Sequence, residues 1–277
     1  MPELPEVETI RRQLEPHVVG ADVVGAWAFP SSKFDEAPAA IGHTVTGVGR
    51  RGKYLLFDLE AAGTQRQLVV HLGMTGRLAV PPGRPGDDPD VDERFDHLRA
   101  SWSFDDGRAL LFDDVRRFGR LAVVDHGEHS RMPTLAALGP EPWDETFTPE
   151  HLRHEVNSRR RAVKTLLLSQ RVVAGVGNIY ADEALWRAGV HPSARRLTVA
   201  QADRLRDTVR DVLREGVDHG GTTLRNYRDA EGGSGEHQRF LDCYGRYGEP
   251  CIRCGDELRR SVVDARTTTF CATCQRR

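Results

Sequence analysis

Four cysteines near the C-terminal end constrain this chain more than any other feature. Cys251 and Cys254, then Cys271 and Cys274, form two C-x2-C pairs with 16 residues between them. Each such turn presents two thiolates to one ion, and a segment this short has too little apolar area to fold without help. The pattern predicts one structural Zn2+ in a four-thiolate tetrahedron with no open position, a metal that holds structure rather than carrying out a reaction. Two disulfides are the other reading; they do not suit a chain that opens without a secretory leader. Between the pairs, Leu258–Val263 and Thr267–Phe270 alternate as a hairpin carrying Arg259, Arg260 and Arg266. Arginines on a zinc ribbon suit a nucleic acid, although such ribbons also serve as protein contacts. Cys243 is left over and reads as a small buried residue.

The texture upstream changes twice. Leu4, Val7, Ile10 and Leu14 recur at helical spacing, Pro5 suits a first turn, and Glu3, Glu6 and Glu8 complement a positive helix end. From about Val23 to Val124 short alternating runs follow, among them Thr44–Val48, Tyr54–Leu59, Gln67–Leu72, His97–Phe104 and Leu110–Phe112. Runs of this kind without helices between them indicate an antiparallel sandwich or barrel. Pro81–Asp92, rich in Pro, Gly and Asp, is expected to be a mobile loop. A helical region then runs from about Pro149 to Gly220, with Leu205, Val209, Val212 and Leu213 on one face of a helix over Thr198–Val217. Asp229–Glu236 (DAEGGSGE) reads as a flexible polar loop. The domain boundaries expected are 1–135, a linker at 136–148, 149–236 and 237–277.

Net charge is −2, which on its face argues against a polyanionic partner, but the distribution is uneven. Residues 85–150 hold 16 acidic residues against 7 arginines, whereas residues 151–200 hold 9 basic residues against 3 acidic ones. A partner feels the local field, because screening removes distant charge within about 8–10 Å. Only three of the 39 basic residues are lysines (Lys33, Lys53 and Lys164), so each merits scrutiny. No apolar run approaches the roughly 20 residues of a membrane span. A cytoplasmic protein with no membrane partner is expected.

Met1-Pro2 is a favourable context for removal of the initiator methionine, which leaves a secondary amine at the head of the first helix. An α-amino group titrates near pH 8, so a useful fraction is neutral and nucleophilic around pH 7. A positive helix end lowers that value, whereas Glu3 and Glu6 raise it. Such an amine attacking an aldehydic carbon yields an iminium ion, an electron sink for eliminating a neighbouring group. The plainer reading of MPELPE is a helix start and nothing more.

Further segments decide between these readings. MPELPEVETIRRQLEP (1–16), RRGKYLLFDL (50–59), HLGMTGRL (71–78), DDVRRFG (113–119), VAGVGNIYADEAL (173–185), GGTTLRNY (220–227) and YGRYGEPC (244–251), with the cysteine module, resemble the formamidopyrimidine-DNA glycosylases in the family's own order. The resemblance implies an α+β multidomain fold. Its parts are an N-terminal helix plus two-layered antiparallel β-sandwich, a helical helix–two-turns–helix domain and a C-terminal zinc-ribbon finger, with damaged double-stranded DNA between the two large domains. It implies a monomeric bifunctional DNA glycosylase/AP lyase of base excision repair. Such an enzyme releases oxidised purines (8-oxoguanine, formamidopyrimidines) through a Schiff base and cuts the strand by β,δ-elimination. By the same resemblance Pro2 is the nucleophile, Glu3 moves protons at the opening sugar, Lys53 donates a proton for β-elimination, and Arg266 holds phosphate and assists δ-elimination. Met74, Arg116 and Phe118 fill the hole left by an extruded base. Asn178, Lys164, Arg160, Arg117 and His97 contact the DNA backbone.

Each role has a physical rationale and a plainer rival. Extrusion costs a few kcal/mol, so a wedge and a donor for the orphaned base are required; on sequence alone Met74 and Phe118 would be core residues. Lys53 would be a solvated lysine before a strand, and Asn178 a helix N-cap ahead of Ile179–Arg187. The chain departs from the family in reading DDVRRFG for DPRRFG, and in an acidic loop over Arg228–Phe240 lacking the usual aromatic. Two rivals remain: an endonuclease VIII-type enzyme for oxidised pyrimidines, and a non-catalytic damage-binding protein. PELPE, together with Met74, Arg116 and Phe118, favours the purine branch; Pro2, Glu3 and Lys53 weigh against a mere binder.

Overall fold

The computed structural model describes residues 1–82, 95–224 and 227–276. Most of the loop expected at Pro81–Asp92 therefore lies outside the described residues, as do Arg225 and Asn226 of the GGTTLRNY segment. The chain divides into two compact units, residues 1–136 with 219–236, and residues 137–218 with 237–277.

In the first unit, α1 (Leu4–Val18) buries Leu4, Val7, Ile10, Leu14 and Val18, the stripe its spacing predicts. Its outer face is tied by Glu8, whose carboxylate meets Arg11, Arg12 and Arg50 at 2.8–3.1 Å. Eight strands follow: β1 (Val23–Ala28), β2 (Thr44–Arg51), β3 (Tyr54–Ala61), β4 (Thr64–His71), β5 (Gly76–Ala79), β6 (Leu98–Phe104), β7 (Ala109–Asp114) and β8 (Arg120–Asp125). They form two four-stranded sheets, β1-β6-β7-β5 and β2-β3-β4-β8, in which every pairing is antiparallel. Leu55, Phe57, Leu68, Val70, Trp102, Phe104, Leu110 and Phe112 join the α1 stripe in one apolar core. Each such side chain contributes roughly 1.5–3 kcal/mol by leaving water. The core tolerates the indole of Trp102 because its N–H donates to the Ala37 carbonyl at 3.1 Å. A short helix, α2 (Pro133–Ala136), ends the main stretch of this unit.

The second unit holds α3 (Pro149–Arg159), α4 (Val163–Leu168), α5 (Asn178–Ala188) and α6 (Val199–Asp218), then the hairpin β9 (Arg259–Val263) and β10 (Arg266–Phe270). Thr148 caps α3 by accepting the His151 N–H at 3.1 Å. Thr198 and Gln201 exchange bonds at 3.0 and 3.2 Å at the head of α6, a reciprocal cap. The amphipathic stripe of α6 is buried as its spacing predicts.

The compact units divide the expected 149–236 segment at 218/219 and place residues 137–148 with the second unit. Residues 219–236 pack with the sandwich because Glu6 Oε1 accepts the Thr222 N–H at 2.6 Å and Gln13 Oε1 accepts the Ala230 N–H at 2.9 Å. Gly221, at φ +86°, brings its backbone so close that a Cβ there would lie 2.8 Å from Glu6 Cγ. The DAEGGSGE segment is also more structured than its composition suggests. Asp229 accepts from Glu231 and Gly233 at 3.1 and 2.7 Å and closes a turn.

The cysteine module sits on α5. Asp182 accepts the Thr269 N–H at 3.0 Å, and Glu183 accepts those of Asp242, Cys243 and Tyr244 at 2.6–3.0 Å. Burial raises the Glu183 carboxyl above its ordinary value, although these three amides pull it down. The Arg253 guanidinium lies 4.0 Å over the Trp186 ring and donates to the carbonyls of Trp186 and Arg187 at 2.9 Å each.

Candidate functional site

At the head of α1, Pro2 and Glu3 are both buried. The Glu3 N–H donates to Glu6 Oε2 at 2.7 Å, so Glu6 spans two tasks with its two oxygens: it holds the chain start and grips the 219–236 segment. Lys53 occupies a two-residue turn, since Arg51 pairs with Tyr54. A hairpin tip ordinarily faces water, yet Lys53 is only 2% exposed. Its charge is felt by His71, whose imidazole is pushed down to about 4 by burial first, then by Arg120 and Lys53. His71 thus stays neutral beside the charges of Arg120 and Lys53.

Met74 and Phe118 are not core residues; they are 36% and 49% exposed. Met74 lies in the turn between β4 and β5, and Arg116, Arg117 and Phe118 lie in the turn between β7 and β8, all exposed. The Arg116 guanidinium sits 4.5 Å over the Phe118 ring. The two turns meet backbone to backbone, for a Cβ on Gly73 (φ +66°) would fall 2.4 Å from the Gly119 nitrogen. Arg117 is held at φ +55°, and Lys33 Nζ donates to its carbonyl at 2.6 Å. His97 is exposed too, its N–H bonded to Asp113 Oδ1 at 2.6 Å. Met74, Arg116, Arg117 and Phe118 therefore share one unit and one pair of turns.

In the second unit Asn178 and Arg266 are brought together. Asn178 Nδ2 donates to the Thr267 carbonyl at 3.1 Å, next to Arg266, which is exposed at the start of β10. Two sequence expectations need correction. Asn178 is the first helical residue of α5 and Gly177 is the N-cap, so the Asn178 side chain fastens the hairpin rather than the helix start. Lys164 does not face outward: it is fully buried, with Nζ 2.6 Å from Asp182 Oδ1, 2.8 Å from Thr268 Oγ1 and 3.2 Å from the Thr267 carbonyl. Its three donors are directed into protein, which leaves no donor aimed at a phosphate. Arg160, exposed at the left-handed C-cap of α3, remains accessible.

The four cysteine sulfurs lie within 4.8 Å of one another, and no disulfide joins them. Cys254 and Cys271 are 3.5 Å apart and Cys251 and Cys274 are 3.9 Å apart. A zinc ion bound at about 2.3 Å requires tetrahedral edges of about 3.8 Å, so the thiols fit it. Cys243 is buried as expected, and burial raises its thiol further from ionisation. Among the described residues no other group of three potential ligands is close enough to hold a metal. No helix among them is long and apolar enough to cross a membrane.

Sequence reasoning missed the polar residues that hold this arrangement: Glu6, Thr75, Asp114, Asp182 and Glu183. Glu6, three residues after Glu3, carried a capping-box signal. The other four have partners too distant in the chain to be read locally.

Known proteins share this organisation. Residues 1–121 match the model of the formamidopyrimidine-DNA glycosylase N-terminal domain, residues 138–228 that of the formamidopyrimidine-DNA glycosylase H2TH domain, and residues 248–277 that of a zinc finger found in FPG and IleRS. The chain is 41% identical to the formamidopyrimidine-DNA glycosylase of Deinococcus radiodurans, over 99% of this chain and 97% of that protein. It is 42% identical to that of Xanthomonas euvesicatoria over the whole of both. Among solved structures, the MutM (Fpg) protein of Thermus thermophilus superposes with a TM-score of 0.87 at 44% identity, covering 99% of this chain and 98% of that one. A Lactococcus lactis Fpg variant in complex with Fapy-dG containing DNA gives 0.88 at 34% identity over the full length of both.

Proposed function

The chain belongs to the formamidopyrimidine-DNA glycosylase family, and on that premise we propose how its residues divide the work of a base excision repair glycosylase and AP lyase. The observation that carries the assignment is the buried chain start, Pro2 and Glu3 at the positive end of α1 with Glu6 bonded to the Glu3 amide.

With Met1 removed, the Pro2 amine attacks C1′ of the damaged nucleotide. The glycosidic bond breaks, and the base leaves with the bonding pair and a proton. A secondary amine bonded to C1′ becomes an iminium on ring opening, and Glu3 moves the proton that this requires. The iminium acidifies C2′, so loss of that proton expels the 3′ phosphate, with Lys53 as proton donor. A second elimination expels the 5′ phosphate, which Arg266 binds with a planar fork that lysine would not match. Met74 and Phe118 enter the vacated stack, and Arg116 hydrogen-bonds the orphaned base. Arg117, His97, Arg160 and Asn178 serve the backbone. Lys164 is left out of this set, because its donors are occupied within the protein. Zinc would supply no step: Cys251, Cys254, Cys271 and Cys274 would hold it, and it would fix the hairpin that presents Arg266.

The substrate proposed is duplex DNA carrying an oxidised purine, engaged by a monomer in the cytoplasm. What supports a DNA partner is that the Lactococcus lactis relative was crystallised with DNA containing a formamidopyrimidine lesion. Borohydride trapping tests the reading on duplexes with 8-oxoguanine opposite cytosine, thymine glycol opposite adenine, and an abasic site. A covalent adduct is expected, fastest on the oxidised purine, and greatly slowed in Pro2→Gly while one zinc per chain is retained. An undiminished adduct in Pro2→Gly removes the proposed nucleophile, and faster reaction at thymine glycol moves the substrate to oxidised pyrimidines.

A further inference from the structure

Met74 and Phe118 are exposed on two separate turns, and one buried group fastens both turns. The group that holds them is Asp114, the last residue of β7, which is fully buried. Its Oδ1 accepts the Thr75 hydroxyl at 2.5 Å, and its Oδ2 accepts the Gly119 N–H at 2.7 Å. Thr75 Oγ1 in turn accepts the Arg116 N–H at 3.2 Å. Thr75 adjoins Met74, and Gly119 adjoins Phe118. One carboxylate and one hydroxyl thus bind the turn bearing Met74 to both ends of the segment bearing Arg116 and Phe118. The Asp114 backbone completes the frame: its N–H donates to the His97 carbonyl at 3.0 Å, and its carbonyl accepts from Arg99 Nε at 2.9 Å.

We propose that Asp114 and Thr75 are positioning residues that set Met74, Arg116 and Phe118 as one preformed wedge, so that extrusion of the damaged nucleotide and filling of the vacancy occur together. The inference rests on the void-filling roles proposed above. The chemistry favours a carboxylate at 114. It accepts two hydrogen bonds without a donor of its own, whereas an asparagine would turn an N–H2 towards either the hydroxyl or the Gly119 N–H. A wedge assembled in advance loses no ordering entropy on entering the helix, and the gain falls on the step that opens the duplex rather than on the attack at C1′.

The test separates those steps. Thr75→Val removes the hydroxyl at nearly constant volume, Thr75→Ser retains it, and Asp114→Asn removes one acceptor. Single-turnover release of 8-oxoguanine from a duplex requires the wedge; cleavage of a single strand at a preformed abasic site does not. Thr75→Val and Asp114→Asn are expected to slow duplex release about tenfold, the scale of one lost hydrogen bond. Single-strand cleavage should change by less than about twofold, and Thr75→Ser should restore duplex release. Equal loss on both substrates, or no loss in Thr75→Val, overturns the proposal. Met74→Ala and Phe118→Ala are run beside them. If those two variants release 8-oxoguanine at the full rate, the void-filling roles are what fails; if they are slow while Thr75→Val is not, only the positioning proposal fails.

Discussion

Lys164→Met is the most informative perturbation of the second unit. The substitution keeps the length of the side chain and removes a cation whose partners are all internal: Asp182 at 2.6 Å, Thr268 Oγ1 at 2.8 Å and the Thr267 carbonyl at 3.2 Å. The Thr267 carbonyl keeps the Asn178 amide, and Asp182 keeps the Thr269 N–H. What is lost is the counter-charge of a fully buried carboxylate. Breaking a buried pair from one side costs about 3–5 kcal/mol. The Asp182 carboxyl is already raised from 3.8 to about 6, by burial that Lys164 only partly offsets. A folded value above the unfolded one means that the native state binds this proton more tightly. This group's contribution to stability therefore grows as pH falls from about 6 towards 4, the reverse of a carboxylate with a depressed value. Without Lys164 the carboxyl rises further and takes up a proton nearer neutrality, which relieves part of the penalty. The deficit should be about 3 kcal/mol or more at pH 8 and about 1–2 kcal/mol smaller at pH 5.5. Lys164→Met with Asp182→Asn should recover about half, since an amide can accept from Thr269 and donate to Thr268. The assay is urea unfolding with zinc in fixed excess, together with hydrogen–deuterium exchange of peptides from α5 and β10. A deficit below about 1 kcal/mol, one independent of pH, or a double variant no better than the single one would refute the reasoning.

Two further outcomes follow from the zinc module. Cys254→Ser should abolish binding of one zinc per chain, measured by metal analysis, and weaken binding to lesion-containing duplex. The near-ultraviolet signal of Trp102 in the sandwich core should persist. The β9–β10 turn holds Asp264 and Ala265 at φ +51° and +58°, the geometry of a two-residue turn that favours glycine in second place. Ala265→Gly should therefore stabilise the hairpin by about 1 kcal/mol, seen as slower amide exchange in β10; faster exchange would contradict this account.

Much of the molecule is legible in local pattern. The spacing of Leu4, Val7, Ile10 and Leu14 specifies which face of α1 is buried, and the alternation of Tyr54–Leu59 or Gln67–Leu72 specifies strands. Cys251, Cys254, Cys271 and Cys274 announce their ligand through spacing alone, because a metal fixes the geometry of whatever turns hold it. The chemistry proposed at Pro2 was suggested by a chain end and its neighbour, and the trapping experiment tests it.

Burial of polar groups was not legible. Lys164 was expected from the resemblance to contact the DNA backbone, yet it is fully buried and Thr268 meets it from 104 positions away. Met74 and Phe118 read as core residues, yet Asp114, Thr75 and Gly119 fasten their turns with both side chains turned outward. Glu6 reads as one of several acidic residues in a first turn, while Thr222 lies 216 positions from it. Periodicity reports which face of an element is apolar, and cysteine spacing reports a metal, so the elements and the zinc ligands could be read from the chain alone. A polar side chain carries no such record of its partner. Whether it is solvated, paired or used as a brace depends on which distant segment packing brings within about 3 Å, and local pattern holds no trace of that segment.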